Sequence, residues 1–223
     1  LYSVIAHDLR SPMGSIKMVL NMLMLNLPVE KIGAEMYELL TMANRTTEDV
    51  FSLLDNLLKW TKSQIGNLNV VYQDVDAVEV VDSVIDVFNM VAGLKKITIR
   101  EEKPEKLPVC TDIDMLKTII RNLLSNAIKF SNENSEVLVK MEEQGDTVVV
   151  SVKDSGCGID EEGQQKLLHT DTHFSTFGTN NEEGSGLGLL LCQDFAVKIG
   201  GKLWFTSKEG EGSTFYFSIP LKK

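Results

Sequence analysis

Cysteine, proline and histidine are scarce in this chain, and no long apolar run interrupts it. Its 223 residues include 3 Cys, 5 Pro and 3 His. Cys110, Cys157 and Cys192 are odd in number and far apart, so they build neither a disulfide framework nor a metal-spaced pair; free thiols in a reducing, cytoplasmic setting follow. The longest apolar stretch, Ile16 to Leu27, is broken by Lys17, Asn21 and Asn26 and falls short of the roughly 20 residues a membrane span needs. No contact of this segment with a membrane is expected. Basic residues are outnumbered, 22 Lys+Arg against 32 Asp+Glu, for a net charge of −10. That balance argues against nucleic acid as a partner. With 43% hydrophobic residues, general disorder is excluded. No signal peptide is visible. The pattern at Leu1–His7 opens inside a helix without a cap, and the sequence reads as a fragment of a longer protein.

What is present divides into two regimes. Tyr2, Ala6, Leu9, Met13, Ile16, Leu20, Leu23 and Leu27 alternate steps of 4 and 3, and so do Met36, Leu40, Ala43, Thr47, Val50, Leu54 and Leu57. Such spacing is a coiled-coil seam. Pro28 and Gly33 punctuate the join, so the expectation is an antiparallel helical hairpin over 1–66. Ile5, Val19, Met24, Leu39, Phe51, Leu53 and Leu58 widen the stripe beyond what one hairpin buries. Two chains forming a four-helix bundle, a homodimer, satisfy it; the alternative is a hairpin packed on its own C-terminal domain. Pro12 removes one backbone donor and is expected to kink the first helix just after His7.

A linker over 67–75 leads to a region, 76–223, where helices and strands alternate. Helices are expected at Asp76–Val91, ended by Gly93, at Asp112–Phe130 with Asp112 as cap, and at Gly186–Ile199. Strands are expected at 97–100, 136–141, 147–152, 203–206 and 214–219. This mixture of helices and antiparallel strands, without regular βαβ units, is an α+β two-layer sandwich.

Two glycine-rich segments stand out, Asp154-Ser155-Gly156-Cys157-Gly158-Ile159 after a strand and Gly184-Ser185-Gly186-Leu187-Gly188-Leu189 opening a helix. Glycine lets backbone approach a phosphate, and a helix N-terminus offers free N–H groups; ordinary turns use glycine too. Neither segment is a Rossmann fingerprint or a Walker loop. Asn122 and Asn126 lie four apart, on one helix face, with Lys129 three residues on. An amide oxygen suits Mg²⁺ and an ammonium suits phosphate; two solvent-facing amides are the plainer alternative. His169 and His173 are also four apart, but no third ligand accompanies them.

In this order, Asn-x3-Asn-x2-Lys, Asp-x-Gly-x-Gly and Gly-x-Gly-x-Gly resemble the ATP-binding domain of the sensor histidine kinases and their gyrase and Hsp90 relatives, over about Asp112 to Pro220. Ile5-Ala6-His7-Asp8-Leu9-Arg10-Ser11-Pro12 resembles the phospho-acceptor box of the same kinases. The resemblance implies a dimeric four-helix bundle followed by a Bergerat-type ATPase sandwich, with ATP and Mg²⁺ as cofactors. It implies that Asn126 ligates Mg²⁺ beside Asn122, that Lys129 contacts phosphate, and that Asp154 accepts from the adenine amino group. Gly156 and Gly158 then leave room for the base. Gly184, Gly186 and Gly188, with Leu187 between them, close over the phosphates, and Thr214 stands beside the adenine pocket. His169 to Glu183 resembles the mobile lid, Phe174 and Phe177 its phenylalanine box; no arginine stands there, so a lid-arginine role is not carried over.

The resemblance further implies that His7 is the phosphorylated nucleophile, that Asp8 orients its ring and takes up its proton, and that Ser11 holds the position of a residue used in dephosphorylating the partner. That partner is the receiver domain of a response regulator, which accepts the phosphoryl group on an aspartate. A neutral imidazole nitrogen is a competent nucleophile near neutral pH, which fits. Two other readings stay open at this point: a catalytically silent, nucleotide-gated scaffold, and another ATPase of the same superfamily.

Overall fold

The computed structural model describes residues 2–64, 69–168 and 187–221; within the helices, the side chains of residues 2–8, 10, 11, 45, 49, 52, 62–64 and 168 lie outside that description. Two compact units make up the chain, Leu1–Leu68 and Asn69–Lys223.

The first unit is helical: α1 (Tyr2–Asn26), a single turn α2 (Val29–Ile32) and α3 (Ala34–Gln64). Gly33 makes the reversal with φ 81°, a conformation that costs an L side chain strain, and its N–H donates to Val29 O at 2.8 Å. Pro12 lies inside α1. α1 and α3 pack together, and Lys17 Nζ meets Glu48 Oε1 across them at 3.3 Å. The seam splits into two lines. Met13, Leu20, Leu27 and Leu40 are half-buried and Thr47 and Leu54 buried, while Leu9, Ile16, Leu23, Met36, Ala43 and Val50 are exposed. Two helices enclose one line of a 3–4 stripe and turn the other outward. Leu54 and Leu58 form the buried centre, with Met13 and Leu57 against them.

The second unit is the α+β sandwich. Its strands are β1 (Gln73–Asp76), β2 (Thr98–Glu102), β3 (Pro108–Thr111), β4 (Glu136–Gln144), β5 (Thr147–Lys153), β6 (Leu203–Lys208) and β7 (Gly212–Pro220). Its helices are α4 (Ala77–Leu94), α5 (Ile113–Phe130), α6 (Glu161–Leu168) and α7 (Leu187–Lys198). Five strands form a sheet in the order β2-β4-β5-β7-β6, and β1 pairs with β3 apart from it. Cross-strand partners Val139↔Val152, Met141↔Val150, Val150↔Phe217 and Val148↔Ile219 place one buried apolar set on one face, as period-2 alternation demands. α4, α5 and α7 supply the other half of that core, with Val81, Ile85, Leu116, Ile119, Leu123 and Leu191 almost wholly enclosed.

Four details depart from the sequence expectation. β2 and β4 are parallel, which requires a crossover; β3 and α5 supply it. β3 is a further departure, short and proline-bearing, its ladder formed with β1 outside the five-stranded sheet. α4 runs through Gly93 to Leu94, and the left-handed φ of 56° falls on Lys96 instead. α6 is polar and was not anticipated; Asp160 Oδ1 holds the Gly163 N–H at 2.8 Å in its first turn. No helix among the described residues is long and apolar enough to cross a membrane.

Candidate functional site

α5 is anchored at both ends. At its start Asp112 Oδ1 accepts from Asp114 N and Met115 N at 3.0 Å each, and Oδ2 accepts from Val71 N at 2.9 Å. At its end buried Lys95 donates from Nζ to Ile128 O at 3.1 Å and Lys129 O at 2.8 Å, a cation on carbonyls at the negative end of the helix dipole. Leu116, Ile119, Ile120, Leu123 and Leu124 fix which face turns inward. Asn122, Asn126 and Lys129 then share a half-buried face at i, i+4 and i+7.

Asn122 Nδ2 donates to Thr118 O at 2.9 Å, which directs its Oδ1 away from the helix. A Cβ added at Gly188, in the first turn of α7, would stand 2.7 Å from that oxygen. Glycine at 188 thus lets the N-terminal turn of α7 lie against Asn122. Lys129 Nζ stands 4.9 Å from the centroid of the Phe130 ring.

Asp154 follows β5 and is 5% exposed. Its Oδ1 accepts from Gly156 N at 2.9 Å and Ser213 N at 3.2 Å, and its own N–H donates to Ser213 O at 2.9 Å. Burial pushes the carboxyl above the ordinary aspartate range, against the opposing pull of those backbone donors. The loop after it is clamped by close backbone approach. A Cβ at Gly156 would meet Phe130 O at 2.0 Å, one at Gly158 (φ 65°) would meet Lys208 O at 2.0 Å, and Gly210 N donates to Cys157 O at 2.7 Å. Through Gly156 the last turn of α5 directly supports the Asp154 loop.

Thr214 pairs with Lys153 and Thr206, while the backbone of its neighbour Ser213 bonds to Asp154. Ser207 and Gln164, both half-buried, bind the Asp154 loop and carry no motif of their own; the signal available was the pair of serines, Ser207 and Ser213, flanking the turn between Lys208 and Gly212.

The structure brings Asn122, Gly188 and the α5 face together, joins the Asp154 loop through Gly156 to the end of α5, and joins Gly158 to the end of β6. His7, Asp8 and Ser11 lie on α1 in the other unit, their side chains outside the description. Gly184, Gly186, His169, His173, Phe174 and Phe177 lie outside the described residues; Leu187 is the buried first residue of α7. Among the described residues no cluster of three His, Cys, Asp or Glu could hold a metal ion. None of the three cysteines, all among the described residues, is in a disulfide; Cys110 and Cys157 are exposed and Cys192 is buried.

A family described as histidine kinase-, DNA gyrase B- and HSP90-like ATPase matches residues 111–223. The chain belongs to that family, and its second unit is an ATP-binding domain of this type. Its curated relatives are sensor kinases, as the order of the motifs implied. The adaptive-response sensory kinase SasA of Crocosphaera subtropica is 29% identical over 98% of this chain, and the sensor histidine kinase WalK of Bacillus subtilis 27% over 98%. The chain spans 58% of the length of the first and 36% of the second. Among solved structures, the catalytic domain of histidine kinase ThkA is 30% identical, with a TM-score of 0.59 over 68% of this chain and 96% of its own. Full-length ShkA in complex with AMPPNP shares the fold over all of this chain and 46% of its own, with a TM-score of 0.72 at 21% identity.

Proposed function

We propose that this chain is the catalytic core of a sensor histidine kinase: it binds ATP with Mg²⁺, phosphorylates its own His7, and passes the phosphoryl group to an aspartate on a response regulator receiver domain. The observation that carries this reading is Asp154, a buried carboxylate held by backbone donors in the family's ATPase fold, on a chain that also carries the His7-Asp8 box on a helix. With Gly156 N and Ser213 N both on Oδ1, Oδ2 is left to accept from the adenine amino group.

The donor set fits Mg²⁺. Asn126 offers a neutral amide oxygen, and Mg²⁺ takes few protein oxygens beside phosphate oxygens and water. Asn126 would hold the ion, which neutralises phosphate charge when bound. Lys129 reaches the phosphates from the same face, Asn122 stands beside them, and Gly184, Gly186 and Gly188 are the glycines assigned to enclose them. At His7 one imidazole nitrogen bonds to the γ-phosphorus as the bond to the β–γ bridging oxygen breaks, ADP leaves, and the ring proton passes to Asp8. Positioning carries most of this loose, in-line transfer.

The hairpin is read as the dimerisation and phosphotransfer domain, 1–66, joined through 67–75 to the catalytic domain, 76–223. Exposed Ile16, Leu23, Met36 and Val50 support a four-helix bundle completed by a second copy. The site of action is the cytoplasm, and Ser11 serves dephosphorylation of the regulator. Peptide mapping at neutral pH after incubation with ATP and Mg²⁺ tests the activity. One acid-labile phosphate on the peptide bearing His7 is expected. Bound ATP without any phosphorylation would instead leave a nucleotide-gated signalling module.

A further inference from the structure

Ser207 lies directly across from Ser213 near the closed end of the β6–β7 hairpin, and it meets more partners than a turn-flanking serine needs. Ile159 N donates to its Oγ at 2.9 Å. Its hydroxyl donates to Gly212 O at 3.2 Å, and Ser213 Oγ stands 2.9 Å away. Gln164, on α6, donates from Nε2 to Ile159 O at 2.7 Å and to Ser207 O at 3.2 Å. Three elements therefore meet at this one residue: the loop that follows Asp154, the hairpin end, and α6.

The proton count allows a single arrangement in which all three contacts at Ser207 are hydrogen bonds. A serine hydroxyl has one proton and two lone pairs. The Gly212 carbonyl only accepts, so it takes the Ser207 proton. The Ile159 N–H fills one lone pair of Ser207, and Ser213 must donate into the other. The Ser213 oxygen is then left with lone pairs alone, while the N–H of the same residue holds Asp154 Oδ1 at 3.2 Å. The Ser213 backbone thus ties the Asp154 carboxylate to a residue whose hydroxyl is held by Ser207. Gly212 completes that arrangement: its φ is 105°, and a Cβ there would meet Asp154 O at 2.2 Å.

We propose that Ser207 is a positioning residue for nucleobase selection: its hydroxyl holds Ser213 as an acceptor beside Asp154, so that the pocket takes a 6-amino purine and rejects a 6-oxo purine. The proposal rests on the nucleotide-binding reading above. A 6-amino group brings donors to both acceptors. A 6-oxo group brings an acceptor to each, and with Ser213's proton already committed to Ser207 nothing remains to meet it. Without the Ser207 hydroxyl, the Ser213 proton is released and turns toward the base.

The test is calorimetric titration of ATP and ITP, with Mg²⁺, into the 223-residue chain and its variants, with thermal unfolding alongside. Ser207→Ala is expected to lower ATP affinity about fivefold to tenfold, the worth of one lost hydrogen bond, and to shrink the ATP-to-ITP preference by at least as much. Ser207→Thr keeps the hydroxyl and should keep the preference. If Ser207→Ala does not fold, Ser207→Cys replaces it, since a thiol is a weak donor and acceptor, and the preference should shrink in the same direction. An unchanged ATP-to-ITP ratio in a folded Ser207→Ala or Ser207→Cys chain, whatever its unfolding temperature, overturns the proposal. Failure of the underlying reading looks different: wild-type protein that binds no ATP, or an Asp154→Ala chain with unaltered ATP affinity, overturns both.

Discussion

The hairpin and the sandwich solve the burial problem in opposite ways. In the hairpin the apolar stripe is broader than two helices enclose: Leu54 and Leu58 are 7% and 4% exposed, yet Ile16, Met36 and Met42 remain 46%, 52% and 60% exposed. In the sandwich the sheet and three helices enclose Val81, Ile119, Leu124, Val150 and Phe217 to 0%. Having closed its core, the sandwich also buries polar groups at one edge, where Asp154, Ser213 and the Asp154–Ile159 loop interlock with the β6–β7 end. A unit that leaves an apolar line open is suited to association, whereas one that clamps a buried carboxylate in backbone is suited to reading a ligand.

This contrast predicts effects that separate cleanly between the two units. The largest falls on chemistry in the hairpin. Asp8→Asn should slow phosphorylation of His7 by roughly 10²–10⁴-fold, the range for a positioned acid–base group, with ATP affinity unchanged. A single-turnover rate equal to wild type would reduce Asp8 to a surface charge. Next comes the difference between the two lines of the seam. Leu54→Glu places an unpaired charge inside the hairpin itself and should cost on the order of 3–5 kcal/mol, with loss of helicity in the first unit alone. Ile16→Glu with Val50→Glu touches only the open line and should give folded monomers by light scattering. Dimers surviving that pair would show that another surface associates.

Smaller effects sharpen the sandwich half. Asp154→Ala should weaken ATP binding by about 2–3 kcal/mol by calorimetry, because a charged, buried acceptor is lost, and leave the hairpin's association untouched. Asp154→Asn acts on stability. Burial raises the wild-type carboxyl above its unfolded value, so the stability it contributes is fully present below the ordinary aspartate range and is lost as pH rises through the raised value. The asparagine chain should therefore be the more stable one at neutral pH without nucleotide, with the gap closing as the medium is acidified. Thermal unfolding across pH checks the sign; a gap that widens on acidification contradicts it.

Much of this was readable from residue order because it rests on local chemistry. Asp112 reads as the cap of α5 and is, with two backbone donors on its Oδ1. The faces of the strands follow from alternation, and the grouping of Asn122, Asn126 and Lys129 follows from helical period. What was not readable depends on distant partners. Gly93 looks like a helix stop, but α4 continues past it, and buried Lys95 at its C-cap reaches to α5. α6 lacks an apolar face, and its polar anchors, Asp160 at its start and Gln164 to Ser207 O, come from tertiary pairing. That Ser213 bonds to Asp154 turns on a one-residue register that only the pairing of β5 with β7 fixes. The seam was legible as a stripe, but which of its two lines closes within one chain was not.

In the proposed mechanism the nucleophile stands on the hairpin while the sandwich reads the nucleotide. Transfer of label from γ-labelled ATP tests it most directly, run on wild type, His7→Gln and Asp154→Ala, with ATP affinity measured on the same samples. The account predicts label on wild type, none on His7→Gln despite full ATP affinity, and label on Asp154→Ala that falls with its ATP occupancy. Label on His7→Gln at the wild-type level would contradict it.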